Sequence, residues 1–288
     1  MMAQLFRALA QFVMQGKLQA SVIAILGIPV ISPAAVALVL MRLGSSPGAI
    51  VFIAAVAPGL VLFASSVANA LMAMVSTAIY LAIAIAALVL RQSQSWSYAL
   101  GALLGLTVVN TIVMFLGAPS QVAAITNAIA ETSRQMVAQY GTEAQAPLQV
   151  TDRYTLGMIA TVSMFAAIPS LLLARWWQAL LYNPGGFQKE FHLLRFGPVL
   201  AVVCLGVGLY HYSAGEPSWG AVFFMPLVVA GIGLVHWMVK QRGLGSHWLI
   251  VFYIFMLLVG PMRGMIAVLA VLDSLLNLRG RVAPRSQD

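Results

Sequence analysis

Acidic side chains are nearly missing from this sequence: seven among 288 residues. They stand far apart, at Glu131, Glu143, Asp152, Glu190, Glu216, Asp273 and Asp288, so no paired-carboxylate site for acid–base chemistry is visible. Charge of either sign is scarce. It makes up 8% of residues, where a soluble domain uses about 25% to cover its surface. The one cysteine, Cys204, lies inside an apolar run, which excludes an intramolecular disulfide and a multi-cysteine metal site. The four histidines, His192, His211, His236 and His247, form no i, i+3 or i, i+4 pair, so no metal centre is expected. HExxH, CxxC, Walker and dinucleotide-binding patterns are all missing. No catalytic residue, cofactor or metal is assigned, and an enzyme is the least favoured class.

What is present is hydrophobic: 61% of residues, with a mean hydropathy of +0.96. The alternation of a membrane barrel strand is not seen. The expected fold is therefore all-α, a polytopic integral membrane helix bundle in contact with the lipid bilayer, forming one transmembrane domain over 1–288. The net charge of +8 comes from basic residues scattered at segment ends. Topology alone accounts for them, and nucleic acid is not expected as a partner. Ala35-Val36-Ala37 superficially resembles a signal-peptidase site, but the apolar pattern continues beyond it, so an uncleaved first helix is read.

Apolar runs fall at about 18–31, 33–42, 48–64, 67–90, 96–117, 153–176, 197–212, 218–239, 247–259 and 262–278. Several approach the ~20 residues that cross the hydrocarbon. Two regions are ambiguous. Residues 18–42 hold Pro29 and Pro33, and 247–278 hold Gly260-Pro261, where proline removes a backbone donor and crowds the preceding turn. If both are broken pairs there are ten segments. Arg7, Lys17, Arg42, Arg91, Arg175, Lys189, Arg195, Lys240, Arg242, Arg279, Arg281 and Arg285 then share one side, and only Arg134, Arg153 and Arg263 do not. If both are single helices there are eight segments, and the two sides divide the basic residues evenly. Positive charge concentrates on the cytoplasmic side. Ten segments with both termini cytoplasmic is therefore the expectation, and the short pieces suit partial or re-entrant helices.

Two amphipathic stretches interrupt the apolar pattern. Residues 119–152 place Val122, Ile125, Ile129, Met136 and Tyr140 at helical spacing on the outer side. This reads as a packed connector or a lid. Residues 177–196 form the cytoplasmic one. Trp176 and Trp177 stand at its start, at the level of an interfacial aromatic belt. Asn183-Pro184-Gly185-Gly186 makes a turn, and Phe187, Phe191 and Leu194 then recur at helical spacing. A helix resting on the inner leaflet and a docking surface for a cytoplasmic or membrane protein partner both fit.

Arg263 and Asp273 stand inside membrane segments, where ionisable groups are costly and mark structure or function. Arg263, Ile266, Ala270, Asp273 and Asn277 share one helical face. For Asp273 a structural bond, to a helix end or to Arg279, is favoured over a functional role. Arg263 follows the Gly260-Pro261 break, and the same topology puts Asn69 and Asn110 in the outer halves of their helices. These three are the candidate ligand-binding residues for a small polar or anionic molecule. The alternative is that the asparagines bond locally and Arg263 snorkels outward. Ala20-x-x-x-Ala24 and Gly101-x-x-x-Gly105 permit close helix approach.

"GIGLVHWMVKQRGL" and "VLAVLDSLLNLRGR" resemble the closing pattern of the YybS-like membrane proteins of bacteria, a family of unknown function. His236, Lys240, Arg242, Gly243, Asp273 and Arg279 match it. "PVISPAAVALVLMRLG" is similar to that family's early Pro…Pro…Leu-x-Arg-(small)-Gly stretch. The resemblance implies a multi-pass protein of the bacterial inner membrane. More distantly, the helix order resembles the six-helix S components of energy-coupling-factor transporters. That likeness implies capture of a small solute near the outer face and docking on a coupling subunit, for which Ala20 and Ala24 match the docking surface. The expected function is a solute-binding or transport component that depends on a partner for energy. The alternative is a non-transporting scaffold or assembly factor.

Overall fold

The computed structural model describes residues 2–65, 70–140 and 150–281, and no strand occurs among them. Fourteen helices follow one another. They are α1 (Met2–Gln15), α2 (Lys17–Ile25), α3 (Ile31–Leu43), α4 (Ser45–Ser65), α5 (Ala70–Ser93), α6 (Trp96–Gly117) and α7 (Pro119–Tyr140). They continue with α8 (Asp152–Tyr182), α9 (Gly186–Leu193), α10 (Pro198–Ser213), α11 (Pro217–Gln241), α12 (His247–Leu258), α13 (Met262–Leu276) and α14 (Leu278–Arg281). The all-α membrane bundle is thus the observed fold.

Five helices, α4, α5, α6, α8 and α11, are long and apolar enough to cross a membrane. Pro58, Pro169 and Pro226 lie inside three of them; neighbouring membrane helices let such interruptions be tolerated. Long-range contacts define the two ends of the bundle. At one end Arg91 donates to the Leu40 carbonyl, Arg175 reaches Gln94 and Glu190, and Lys240 donates to Gln188. We call this the basic end. At the other, Thr126 of α7 bonds Thr155 of α8, and Arg153 pairs with Glu216.

The helix α10 runs from the basic end towards the opposite one. Its first turn brings Leu200 against Gly101, near the basic-end start of α6, whose Trp96 meets Phe187. Its last turn places His211 on Glu216 at the opposite end. Sixteen residues give α10 a length of ~24 Å.

The two ambiguous regions are both hairpins that enter from the basic end and return to it. In the first, α3 ends beside Arg91, while its start is tied back to α2: the Ser32 hydroxyl donates to the Ile23 carbonyl and accepts from the Ile28 N–H. Residues 26–30 make the turn, with Gly27 and Val30 at positive φ. Tyr80 of α5, ~16 Å along its helix from Arg91, donates to the Ala24 carbonyl at 3.3 Å, which fixes the turn at mid-bundle depth. Every residue from Ser32 to Met41 is buried, so this half-length helix is the centre of the protein. In the second hairpin α12 and α13 differ in direction by 119° across 259–261. Lys240 at the end of α11 and Arg279 just after α13 both meet α9 or its flanks, so both arms of this hairpin open at the basic end. Their lengths, ~18 and ~22 Å, fall short of a ~30 Å hydrocarbon core.

Glycines set the close approaches. A methyl group on Gly231 would lie 2.5 Å from the Ile266 carbonyl of α13, and one on Gly233 would lie 2.6 Å from the Phe191 carbonyl of α9. Two residues apart on α11, they admit α13 and α9 respectively. A methyl group on Gly101 would lie 3.2 Å from the Leu200 side chain, whereas Gly105 faces open space, so the Gly101/Gly105 pair does not act as a unit within the chain.

The helix α1 was not among the expected segments. Leu5, Phe6, Leu9, Ala10, Phe12 and Val13 carry its amphipathic signal, but the run is too short and too polar to register as a membrane span. Ala10 and Val13 are buried, and Phe6 packs edge-on against Trp176 at 5.6 Å.

Candidate functional site

Around α9 Glu190 and Asp273 each pair with an arginine. Arg175 grips Glu190 with two bonds of 2.8 Å and also donates to Gln178; paired, planar contacts of this kind are the strong ones. On the other flank Arg279 donates to the carbonyls of His192 and Leu194, which the end of α9 leaves without helical partners. Its Nε lies 3.0 Å from Asp273 Oδ2, with the N–H poorly aligned, so that contact is an ion pair rather than a hydrogen bond. Asp273 is 1% exposed. Arg195 donates to Asn277, which caps α13 in the left-handed conformation. Asp273 and Arg279 therefore act together as a strap between α13 and α9.

The aromatic residues of this segment face inward. Phe187 stacks on Phe191 at 5.7 Å and meets Trp96; Phe191 meets His236 at 5.6 Å. Trp177 is fully buried, with its indole N–H unpartnered, and Trp176 packs on Phe6. Ala20 and Ala24 are likewise buried within the chain. The residues expected at a docking surface are thus occupied by internal contacts.

His192 of α9 lies 6.4 Å, ring to ring, from His236 of α11, which bonds Tyr253 of α12 at 2.8 Å. Burial lowers the His192 pKa to about 4, assisted by the positive charges of Lys240, His236 and Arg279. A neutral imidazole is the form this cluster holds at neutral pH. At the opposite end Glu216 accepts from both Arg153 and His211, and Trp219 donates to the Arg153 carbonyl. That cluster joins α8, α10 and α11.

The three residues expected to line a ligand pocket are not gathered. Asn69 lies outside the described residues. Asn110 on α6 donates to the Ala78 carbonyl of α5 at 3.2 Å. It borders a cavity of about 10 Å³ between α5, α6 and α8, room for one water molecule. Arg263 lies elsewhere, on a helix that packs against α10 and α11. The face it shares is buried at Ile266, Ala270 and Asp273, but Arg263 itself, one turn beyond, is exposed. It has no polar partner among the described residues. It stands ~15 Å along the axis from Asp273, deep within the hairpin.

The fold defines a polytopic, all-α membrane protein with five helices long and apolar enough to cross a membrane and two hairpins that open at the basic end. No model of a known protein family, no curated protein and no solved structure matches the chain. The hairpins were anticipated from proline position and charge balance. The pairing of Asp273 with Arg279 was anticipated too; the hold of Arg279 on α9 was not, because its two carbonyl acceptors carry no side-chain signal.

Proposed function

We propose that the protein is a transport component that binds a small polar or anionic solute and works with a partner subunit for energy. The observation that carries this reading is Arg263, an unpaired and exposed cation at the tip of a hairpin that breaks at mid-depth. A charge in hydrocarbon costs at least about 2.5–3.5 kcal/mol, and broken backbone at that depth is tolerated where it lines a cavity or is covered by protein. An aqueous path with Arg263 as its anion-selecting wall meets both conditions. The basic end is the cytoplasmic one, since it gathers Arg42, Arg91, Arg175, Lys189, Arg195, Lys240, Arg242, Arg279 and Arg281 while Arg134 and Arg153 lie on helices of the opposite end. The hairpin thus rises from the cytoplasm, and both termini are cytoplasmic. The YybS-like motifs add the bacterial inner membrane to this reading, and counting α10 as a crossing gives six, the helix count of S components.

Gentle release from the membrane followed by native mass spectrometry tests it. The wild type should carry a discrete small-molecule adduct that Arg263→Gln loses and Arg263→Lys retains in part. Protein that carries no adduct, or the same adduct in all three forms, overturns it. A second reading, a non-transporting scaffold or assembly factor, is favoured by α12, whose large apolar side chains are mostly exposed, with Phe252 buried and Leu249 and Met256 half-buried. A stoichiometric protein partner without any adduct would select that reading.

A further inference from the structure

Apolar side chains surround Arg263 at the tip of the second hairpin. Residues 257–261 and 263–265 are all exposed, and Arg263 is the one polar side chain among them. Leu257, Leu258 and Met265 stand 79%, 75% and 64% open. A methyl group added to Gly260 or Gly264 would meet no atom within 4 Å, so the space on both flanks of Arg263 is free.

Packing fixes the depth of this tip. Gly231 of α11 lies against Ile266 of α13, and α11 runs from Pro217 to Gln241. The contact is therefore ~15 Å from the basic end of α11 and ~21 Å from the other. The helix α13 runs towards the basic end as α11 does. Arg263, three residues before Ile266, thus lies a further ~4.5 Å from that end, in the middle of the bilayer. On α11 the positions level with it, Leu227 and Val228, are apolar as well.

A water-soluble anion arriving here would gain one guanidinium and no second polar contact. An anionic lipid gains on both of its parts. Its phosphate oxygens match the guanidinium fork, and its acyl chains lie against the open leucines of α12. Basic pockets between membrane helices hold anionic headgroups on the cytoplasmic side in the same way. We infer that the hairpin tip binds an anionic phospholipid admitted sideways from the surrounding leaflet, with its phosphate on Arg263 and its chains along α12. The inference rests on the reading of Arg263 as the cargo-binding cation and names that cargo as an amphiphile, its headgroup in the path and its chains in the hydrocarbon.

Native mass spectrometry of the full-length protein titrated with lipid tests it. The wild type should retain one phosphatidylglycerol roughly tenfold more tightly than phosphatidylcholine, whose own ammonium competes for its phosphate. Arg263→Gln should lose that preference and Arg263→Lys should keep part of it. Arg263 has no polar partner among the described residues, so melting should be unchanged in both variants. In lipid nanodiscs, phosphatidylglycerol with a photoreactive group on an acyl chain should label α12 in the wild type and not in Arg263→Gln. Equal retention of the two lipids, or a preference and α12 labelling that survive Arg263→Gln, would overturn the inference. Glycerol 3-phosphate carries the same headgroup chemistry without chains and separates this inference from the reading beneath it. Arg263-dependent binding of glycerol 3-phosphate in place of the lipid would remove the lipid and leave the solute reading standing. No Arg263-dependent binding of either would remove both.

Discussion

Removing one partner of the strap between α13 and α9 should cost nearly as much as removing both. Asp273 is almost completely buried and Arg279 nearly so, with side-chain exposures of 2% and 9%, so solvent screens neither charge. Arg279→Met would strand a buried carboxylate and release the His192 and Leu194 carbonyls at once. Removing one member of a buried pair costs about 3–5 kcal/mol, and this variant belongs at the upper end. Asp273→Asn keeps the shape and leaves the guanidinium its two carbonyl acceptors, which places it near the lower end. In the double variant neither charge is stranded, and only the carbonyl bonds are missing. Its loss should fall short of the sum of the singles by about 2 kcal/mol, within the range of coupling energies for neighbouring residues. Reversible denaturant unfolding of the four proteins in one detergent, read by tryptophan fluorescence, measures the cycle. Losses that add to within about 0.5 kcal/mol would refute the strap as a coupled pair.

Two further outcomes follow from packing and titration. Gly231→Ala and Gly233→Ala should each destabilise by about 1–3 kcal/mol, because a methyl group meets backbone carbonyls at 2.5 and 2.6 Å. Gly105→Ala, with nothing near it, should be neutral or slightly stabilising in the same unfolding assay. His192 is held at about 4 in the folded protein against about 6.5 for a free imidazole. The unfolded chain then binds more protons between these values, so stability is full above about pH 6.5 and declines as pH falls towards 4. Melting curves across that window should show the decline in the wild type and a shallower one in His192→Gln.

Much of the fold was legible because membrane segments report themselves through length and hydropathy. The ten apolar runs coincide closely with α2–α6, α8 and α10–α13. The two broken regions could be read because Pro29, Pro33 and Pro261 interrupt the helical ladder and because charge balance weighs whole topologies rather than single helices. Other features escaped for identifiable reasons. The short, polar-faced α1 falls below any span criterion, yet its Ala10 and Val13 are buried. Trp177, Phe187 and Phe191 have the composition of an exposed interfacial patch, and only tertiary contact reveals that Trp96, His236 and the α11 glycines receive them. Arg263 and Asn110 occupy similar depths by residue count, but depth says nothing about which helices are neighbours. The partner of Asn110 is the Ala78 carbonyl of the neighbouring α5, an acceptor that carries no side-chain signal.

The two hairpins entering from one side are the centre of this account, and labelling of single cysteines tests them most directly. Cys204 is fully buried and can be left in place as a silent background. Lys189→Cys, Ser246→Cys, Arg281→Cys and Ser213→Cys each put a thiol at an exposed position. With a membrane-impermeant maleimide on sealed, oriented vesicles, the thiols at 189, 246 and 281 should all label from the same side, and the thiol at 213 from the other. Labelling of 246 and 281 from opposite sides would show that α12 and α13 together cross the membrane, and would contradict the re-entrant hairpin on which the reading of Arg263 depends.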